Sequence, residues 1–161
     1  MILIFDTETT GLRPGRVIQL SYIMVTETDV KGKNFFFYTP FVEPSAIAVH
    51  GFTPEKLAVL SGGKTFSEFL EEIDDDFRAA DLTVAHNFPF DFSFMSAEFG
   101  YESRIFHYKE KFDTMRELKN DVAIPSPAKF GKFKYPKLVE LAAFYDIYDY
   151  DVTRKSIELF G

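Results

Sequence analysis

The chain has no cysteine and no tryptophan, and only three histidines. Without cysteine there can be no disulfide, no thiolate nucleophile and no Cys-ligated zinc, and the composition fits a reducing, cytoplasmic setting. It also lacks a charged leader followed by an apolar stretch, and no apolar run approaches the length of a membrane span. Neither secretion nor membrane insertion is therefore expected. Basic residues are in deficit: 18 Lys and Arg against 25 Asp and Glu give a formal net charge of −7. That excludes generic capture of a polyanion through overall positive charge, so any polyanion partner needs a local basic patch or metal ions. What the chain has in excess is phenylalanine, 20 residues of it, read first as core filler. Its 161 residues are expected to form a single domain, 1–161, with a substantial core.

The most informative stretch is Met1-Ile2-Leu3-Ile4-Phe5-Asp6-Thr7-Glu8-Thr9-Thr10-Gly11-Leu12. Five apolar residues drop directly into Asp-x-Glu and then into a small, polar, glycine-containing turn. Side chains at i and i+2 share one face of a strand, so Asp6 and Glu8 converge. A hard divalent cation is the simplest partner that offsets their repulsion; the plainer alternative is a strand end with acids turned to water.

Along the rest of the chain, residues 2–5 read as a buried strand, Val17–Thr26 as a second and Asn34–Phe41 as a third, with turns at Arg13–Gly15 and Asp29–Lys33. Together they make an antiparallel meander. Thr53-Pro54-Glu55 has the form of a helix start. Thr65–Ala80 carries amphipathic spacing, Leu82–Ala85 is a short strand, and a helix follows over roughly Phe90–Phe99. Lys111–Lys119 is a strand-to-helix segment, and Tyr135–Phe144 and Val152–Phe160 are helices. Strands first, then alternating helices and strands, imply a mixed sheet flanked by helices.

Two further segments repeat the logic of the opening. His86-Asn87-Phe88-Pro89-Phe90-Asp91 runs from a strand into an acid in the first turn of a helix, where charge complementarity to the helix end is an alternative role for Asp91 and turn formation one for Asn87. Tyr150-Asp151-Val152 opens the last helix, with N-capping as the alternative role for Asp151. If these four carboxylates met, they could hold two divalent metals that clamp the attacking and leaving oxygens of a phosphodiester.

In that order the three segments resemble the exonuclease motifs of the DnaQ-like (DEDD) 3′–5′ exonucleases. Ala48-Val49-His50-Gly51-Phe52-Thr53 resembles the short His-Gly-containing segment of that family, and Phe112-Asp113-Thr114 its Asp-Thr strand end. The resemblance runs from about residue 2 to residue 160 and implies a ribonuclease-H-like α/β fold: a five-stranded mixed sheet, first three strands antiparallel, flanked by helices. It implies that Asp6, Glu8, Asp91 and Asp151 are catalytic, metal-binding acids for two Mg2+ or Mn2+ ions. Thr9, Gly11 and Leu12 would border the pocket for the 3′-terminal nucleotide, with His50 either near it or an ordinary loop histidine. Asn87 joins these substrate-side candidates. The implied activity releases nucleoside monophosphates from 3′ ends of nucleic acid, single-stranded or frayed DNA before RNA, with a DNA polymerase or other replication protein as partner and no membrane.

The sequence departs from the family pattern at the general base. A histidine five residues before the last Asp, or a tyrosine four before, would serve; those positions are Asp146 and Ile147. The base is unassigned, which keeps alive a second reading, a catalytically weak accessory module that binds 3′ ends; a third is an exoribonuclease. Finally, residues 129–137 pack four lysines and three aromatics into nine positions, the combination used for single strands, with Lys132 and Lys134 as candidate phosphate contacts. The alternative there is a solvated loop anchored by its aromatics.

Overall fold

The computed structural model describes residues 1–100 and 110–147. Five strands, β1 (Ile2–Thr9), β2 (Val17–Val25), β3 (Val30–Phe36), β4 (Leu82–Ala85) and β5 (Glu110–Asp113), form one sheet in the order β3-β2-β1-β4-β5. The first three pair antiparallel, while β4 joins β1, and β5 joins β4, in parallel. This is the expected mixed sheet, and the carboxyl ends of β1, β4 and β5 share one edge.

Alternation along β1 sends Leu3, Phe5 and Thr7 into the core and Ile2, Ile4, Asp6 and Glu8 to the opposite face. Helices α3 (Leu70–Ala79) and α4 (Phe88–Phe99) supply the other half of the core. Phe77 lies edge-on to Phe5 at 5.2 Å and to Tyr22 at 5.6 Å, so much of the phenylalanine excess is indeed core. The buried Tyr22 hydroxyl donates to Asp76 at 2.6 Å, and burial pushes its phenol well above the usual range.

Several boundaries differ from the sequence reading, for local reasons. β1 runs on to Thr9 rather than stopping at Phe5, because β2 pairs with it through Asp6↔Ser21 and Glu8↔Gln19. β3 begins at Val30 and ends at Phe36, not at 34 and 41. A turn closed by Thr26 N–H to Asp29 C=O (2.9 Å) leads straight into it, and its polar Lys31-Gly32-Lys33 suits a sheet edge facing water. The segment 65–80 splits into a 3-10 turn (Phe66–Glu68) with a Thr65/Glu68 capping box, then α3. Helix α1 (Pro44–His50) has no counterpart in the sequence reading, and α5 (Thr114–Glu117) is followed by a second short helix, α6 (Lys119–Val122). α7 (Leu138–Phe144) starts three residues late, since Tyr135 precedes Pro136 and is disfavoured in helix. α2 (Pro54–Ser61) starts as expected, with Thr53 Oγ1 accepting from Lys56 N–H at 3.3 Å. Thr53→Ala is therefore expected to cost about 1 kcal/mol in urea unfolding, and an unchanged midpoint would deny the cap a role. The expected helix over 152–160 lies outside the described residues. Among the described residues no helix is long and apolar enough to cross a membrane.

Candidate active site

The second acidic segment is anchored from β5. Asn87 sits in the left-handed region (φ 67°), a conformation its short side chain tolerates, and its N–H donates to Asp113 Oδ1 at 3.0 Å. The same oxygen accepts from Met115 N–H at 3.0 Å, capping α5, while Arg116 Nε lies 3.3 Å from Asp113 Oδ2. That turn launches α4 toward β1 with Asp91 in its first helical turn. There Thr7 grips it: the Thr7 N–H (3.1 Å) and hydroxyl (2.6 Å) both donate to Asp91 Oδ1. Thr7 is the residue between Asp6 and Glu8, so the clasp brings the second acidic segment to the first.

The electrostatics of the three acids reflect that proximity. Asp91 is only 2% exposed, and burial pushes its carboxyl up to about 7, the Asp6 charge adding to the rise while the Thr7 bonds oppose it. Asp6 stands at a rim that solvent reaches, yet the surrounding protein displaces enough water to raise its carboxyl, with the neighbouring His86 working the other way. Glu8 is raised by desolvation and by Asp6, and lowered by His50. Asp6 thus disfavours ionisation of both other acids. Among the described residues no three acidic or imidazole side chains are gathered closely enough to hold an ion by themselves. The donor chemistry nonetheless suits a hard divalent cation: oxygen ligands only, each carboxyl raised first of all by burial. The fourth candidate, Asp151, lies outside the described residues.

Past Glu8 the strand opens onto a cavity of about 340 Å³ bordered by Thr9, Gly11, Leu12 and His50 together with Glu8. Its conformation is built locally. Thr9 Oγ1 donates to Gly11 C=O at 2.8 Å, and Gly11 takes a φ of 152°, a backbone conformation that favours glycine. Phe52 N–H donates to His50 Nδ1 at 3.0 Å; the ring proton therefore sits on Nε2, which donates to Thr9 C=O at 3.2 Å. His50 ties α1 to the end of β1. Leu12 (73% exposed) and Val49 (84% exposed) leave apolar surface at the rim, and Ser45 and Phe90 complete the wall. Ser45, Val49 and Phe90 were not singled out in the sequence; Val49, adjacent to His50 in the His-Gly segment, carried the available signal.

A second cavity, about 460 Å³ and mostly apolar, has Asp6, His86, Thr114 and Leu138 on its lining. Asn87 lines neither of these cavities; it acts through its backbone in the α4 turn. Lys132 and Lys134, in the segment before α7, line neither cavity. Lys134 is bonded to both Glu140 oxygens, at 2.5 and 2.6 Å.

A family model described as exonuclease matches residues 3–147. The chain is similar to the DNA polymerase III subunit epsilon of Salmonella typhimurium, 32% identical over 112 residues that cover 63% of this chain and 44% of that protein. It is likewise similar to the proteins of the same name from Pasteurella multocida (35% over 107 residues, 60% of this chain and 41% of that one) and Rickettsia felis (34% over 106 residues, 60% and 43%). The chain spans less than half the length of these curated relatives.

Proposed function

The chain belongs to the DnaQ-like exonuclease family, and from that premise we propose that it is a metal-dependent 3′–5′ exonuclease acting on single-stranded or frayed DNA ends. The observation that supports this reading is the Thr7–Asp91 clasp, which ties the second acidic segment to the residue between Asp6 and Glu8, with Glu8 on the wall of a cavity that α1 also lines. Asp6, Glu8 and Asp91 would hold Mg2+ or Mn2+, two ions once Asp151 joins them. A bound divalent cation supplies Lewis-acid stabilisation of the charge that develops on the scissile phosphate.

The chain's own residues do the rest. The 3′-terminal nucleotide enters the cavity with its base against Leu12 and Val49 and its sugar near the Thr9 backbone. His50 fixes that backbone through its bond to Thr9 C=O. Glu8, on the cavity wall, and Asp6, two residues earlier on the same face of β1, would meet the phosphate that links the terminal nucleotide to the next. Attack by water there breaks the P–O3′ bond and releases a nucleoside monophosphate, and the shortened strand keeps a new 3′-hydroxyl. A polymerase partner, a cytoplasmic location and a single-domain organisation are part of the same proposal.

The test is directional. A 5′-labelled single strand should shorten from its free 3′ end in the presence of Mg2+ or Mn2+, and a 3′ block should stop it whereas a 5′ block should not. Internal cuts in a circular single strand would contradict the reading. The second reading, a 3′-end-binding module of weak activity, is favoured by one observation: Asp146 and Ile147 stand where the family's His or Tyr would. Metal-dependent binding to 3′ ends with no cleavage of DNA would make it the better answer, and cleavage of RNA alone would identify an exoribonuclease.

A further inference from the structure

Residues 125–134, between α6 and α7, form a closed hairpin. Pro125 bridges antiparallel to Phe133, Ser126 N–H donates to Lys132 C=O (2.8 Å), and Lys134 N–H donates to Ile124 C=O (2.9 Å). Lys132 N–H donates to Lys129 C=O at 3.2 Å across Gly131 (φ 70°), so residues 129–132 are the tip. Phe130, on that tip, is fully exposed. The ring of Tyr135, by contrast, is capped by Lys119 Nζ at 4.6 Å. The structure also divides the lysines that the sequence groups together. Lys134 is committed to Glu140, whereas Lys129 and Lys132 make no ion pair among the described residues.

Two unneutralised lysines flanking a bare phenyl ring are complementary to a polyanion with exposed rings, on a chain whose net charge is −7. The hairpin is also tethered on both sides to elements of the acidic site. The chain leaves the carboxyl end of β5, which shares an edge with that of β1, passes through α5 and α6 into the hairpin, and four residues after it reaches Leu138, which lines the same cavity as Asp6.

We propose that the Phe130 tip is a stacking platform for an unpaired base of the strand whose 3′ end occupies the acidic site, with Lys129 and Lys132 on the adjoining phosphates. This rests on the exonuclease reading for the strand's orientation. A base within a duplex has both faces covered by its neighbours, so the platform takes single strand and rejects double strand.

The absence of tryptophan supplies the test. Phe130→Trp introduces a sole indole, read in the full chain with chelator present to prevent hydrolysis. An oligothymidylate with a free 3′ end should quench its emission saturably, and a blunt duplex of equal length should not. Phe130→Ala should weaken oligothymidylate binding by roughly 5- to 150-fold. Lys129→Gln with Lys132→Gln should reduce the slope of log K against log salt by about 0.7 per lost phosphate contact. Unchanged emission while the oligonucleotide binds, together with wild-type affinity in Phe130→Ala, would overturn the proposal, as would equal quenching by duplex. Emission that answers to no nucleic acid would also overturn it. Quenching by single strand in a protein that cleaves nothing would keep the platform and remove the exonuclease; 3′-end cleavage with no quenching would do the reverse.

Discussion

Asp6→Ala is expected to lower 3′-end cleavage by at least about 10²–10³-fold, the scale seen when one preorganised electrostatic group is removed from an active site, while the protein stays folded. Asp6 lies on the open face of β1, so its loss leaves no void in the core. It also raises the carboxyls of both Glu8 and Asp91. Without it Asp91 should titrate below about 7, and the melting temperature in chelator should hold or rise. The stabilisation that Mn2+ gives the wild type should fall away with activity, because a ligand bound only by the folded state contributes RT ln(1 + [L]/Kd). Activity assays, carboxyl NMR titration and thermal melts with and without Mn2+ check the three parts. An Asp6→Ala protein that unfolds would give the residue a structural role, and one that cleaves normally would remove the acids from the chemistry.

The first acidic segment was legible because strand alternation is local: Asp6 and Glu8 must share a face wherever β1 pairs, whatever lies around it. That Asp91 joins them was not, since it depends on Thr7, which reads in the sequence only as a spacer between two acids, and on Asp113 holding the Asn87 turn from β5. Both are contacts across long stretches of chain that no periodicity encodes. The sheet followed from strand patterning, but β3 was displaced because polar Lys31-Gly32-Lys33 resembles a turn until its edge position is known. α1 stayed hidden because in its seven residues only Ala46 and Ile47 pack, partly buried, against the Ile18, Val42 and Leu57 cluster, too short a pattern for a helical period to show. For the lysines, composition could mark the patch but not which members are spent: Glu140, three residues beyond Lys137, removes Lys134 from service.

Raising the pH from about 4 to about 8 is expected to destabilise the metal-free protein through Asp91. Its carboxyl is raised from 3.8 to about 7, so between those values the folded chain holds a proton that the unfolded chain has released. Stability therefore falls with pH in that window. The contribution is fully present below the unfolded pKa and is lost as pH rises through about 7. Asp6 and Glu8, both raised, act with the same sign. A gap of about three pH units sets a ceiling of about 4 kcal/mol, to be read as the difference between wild type and Asp91→Asn. That variant keeps an oxygen to accept both Thr7 bonds and cannot ionise. A divalent cation competes with this proton, so its stabilising effect should grow from pH 5 to pH 8 as Asp91 gives the proton up. Melts at four pH values, with and without Mn2+, read both slopes. A cation effect that does not vary with pH, or a wild-type slope equal to that of Asp91→Asn, would show that Asp91 neither carries the proton nor yields its place to a metal.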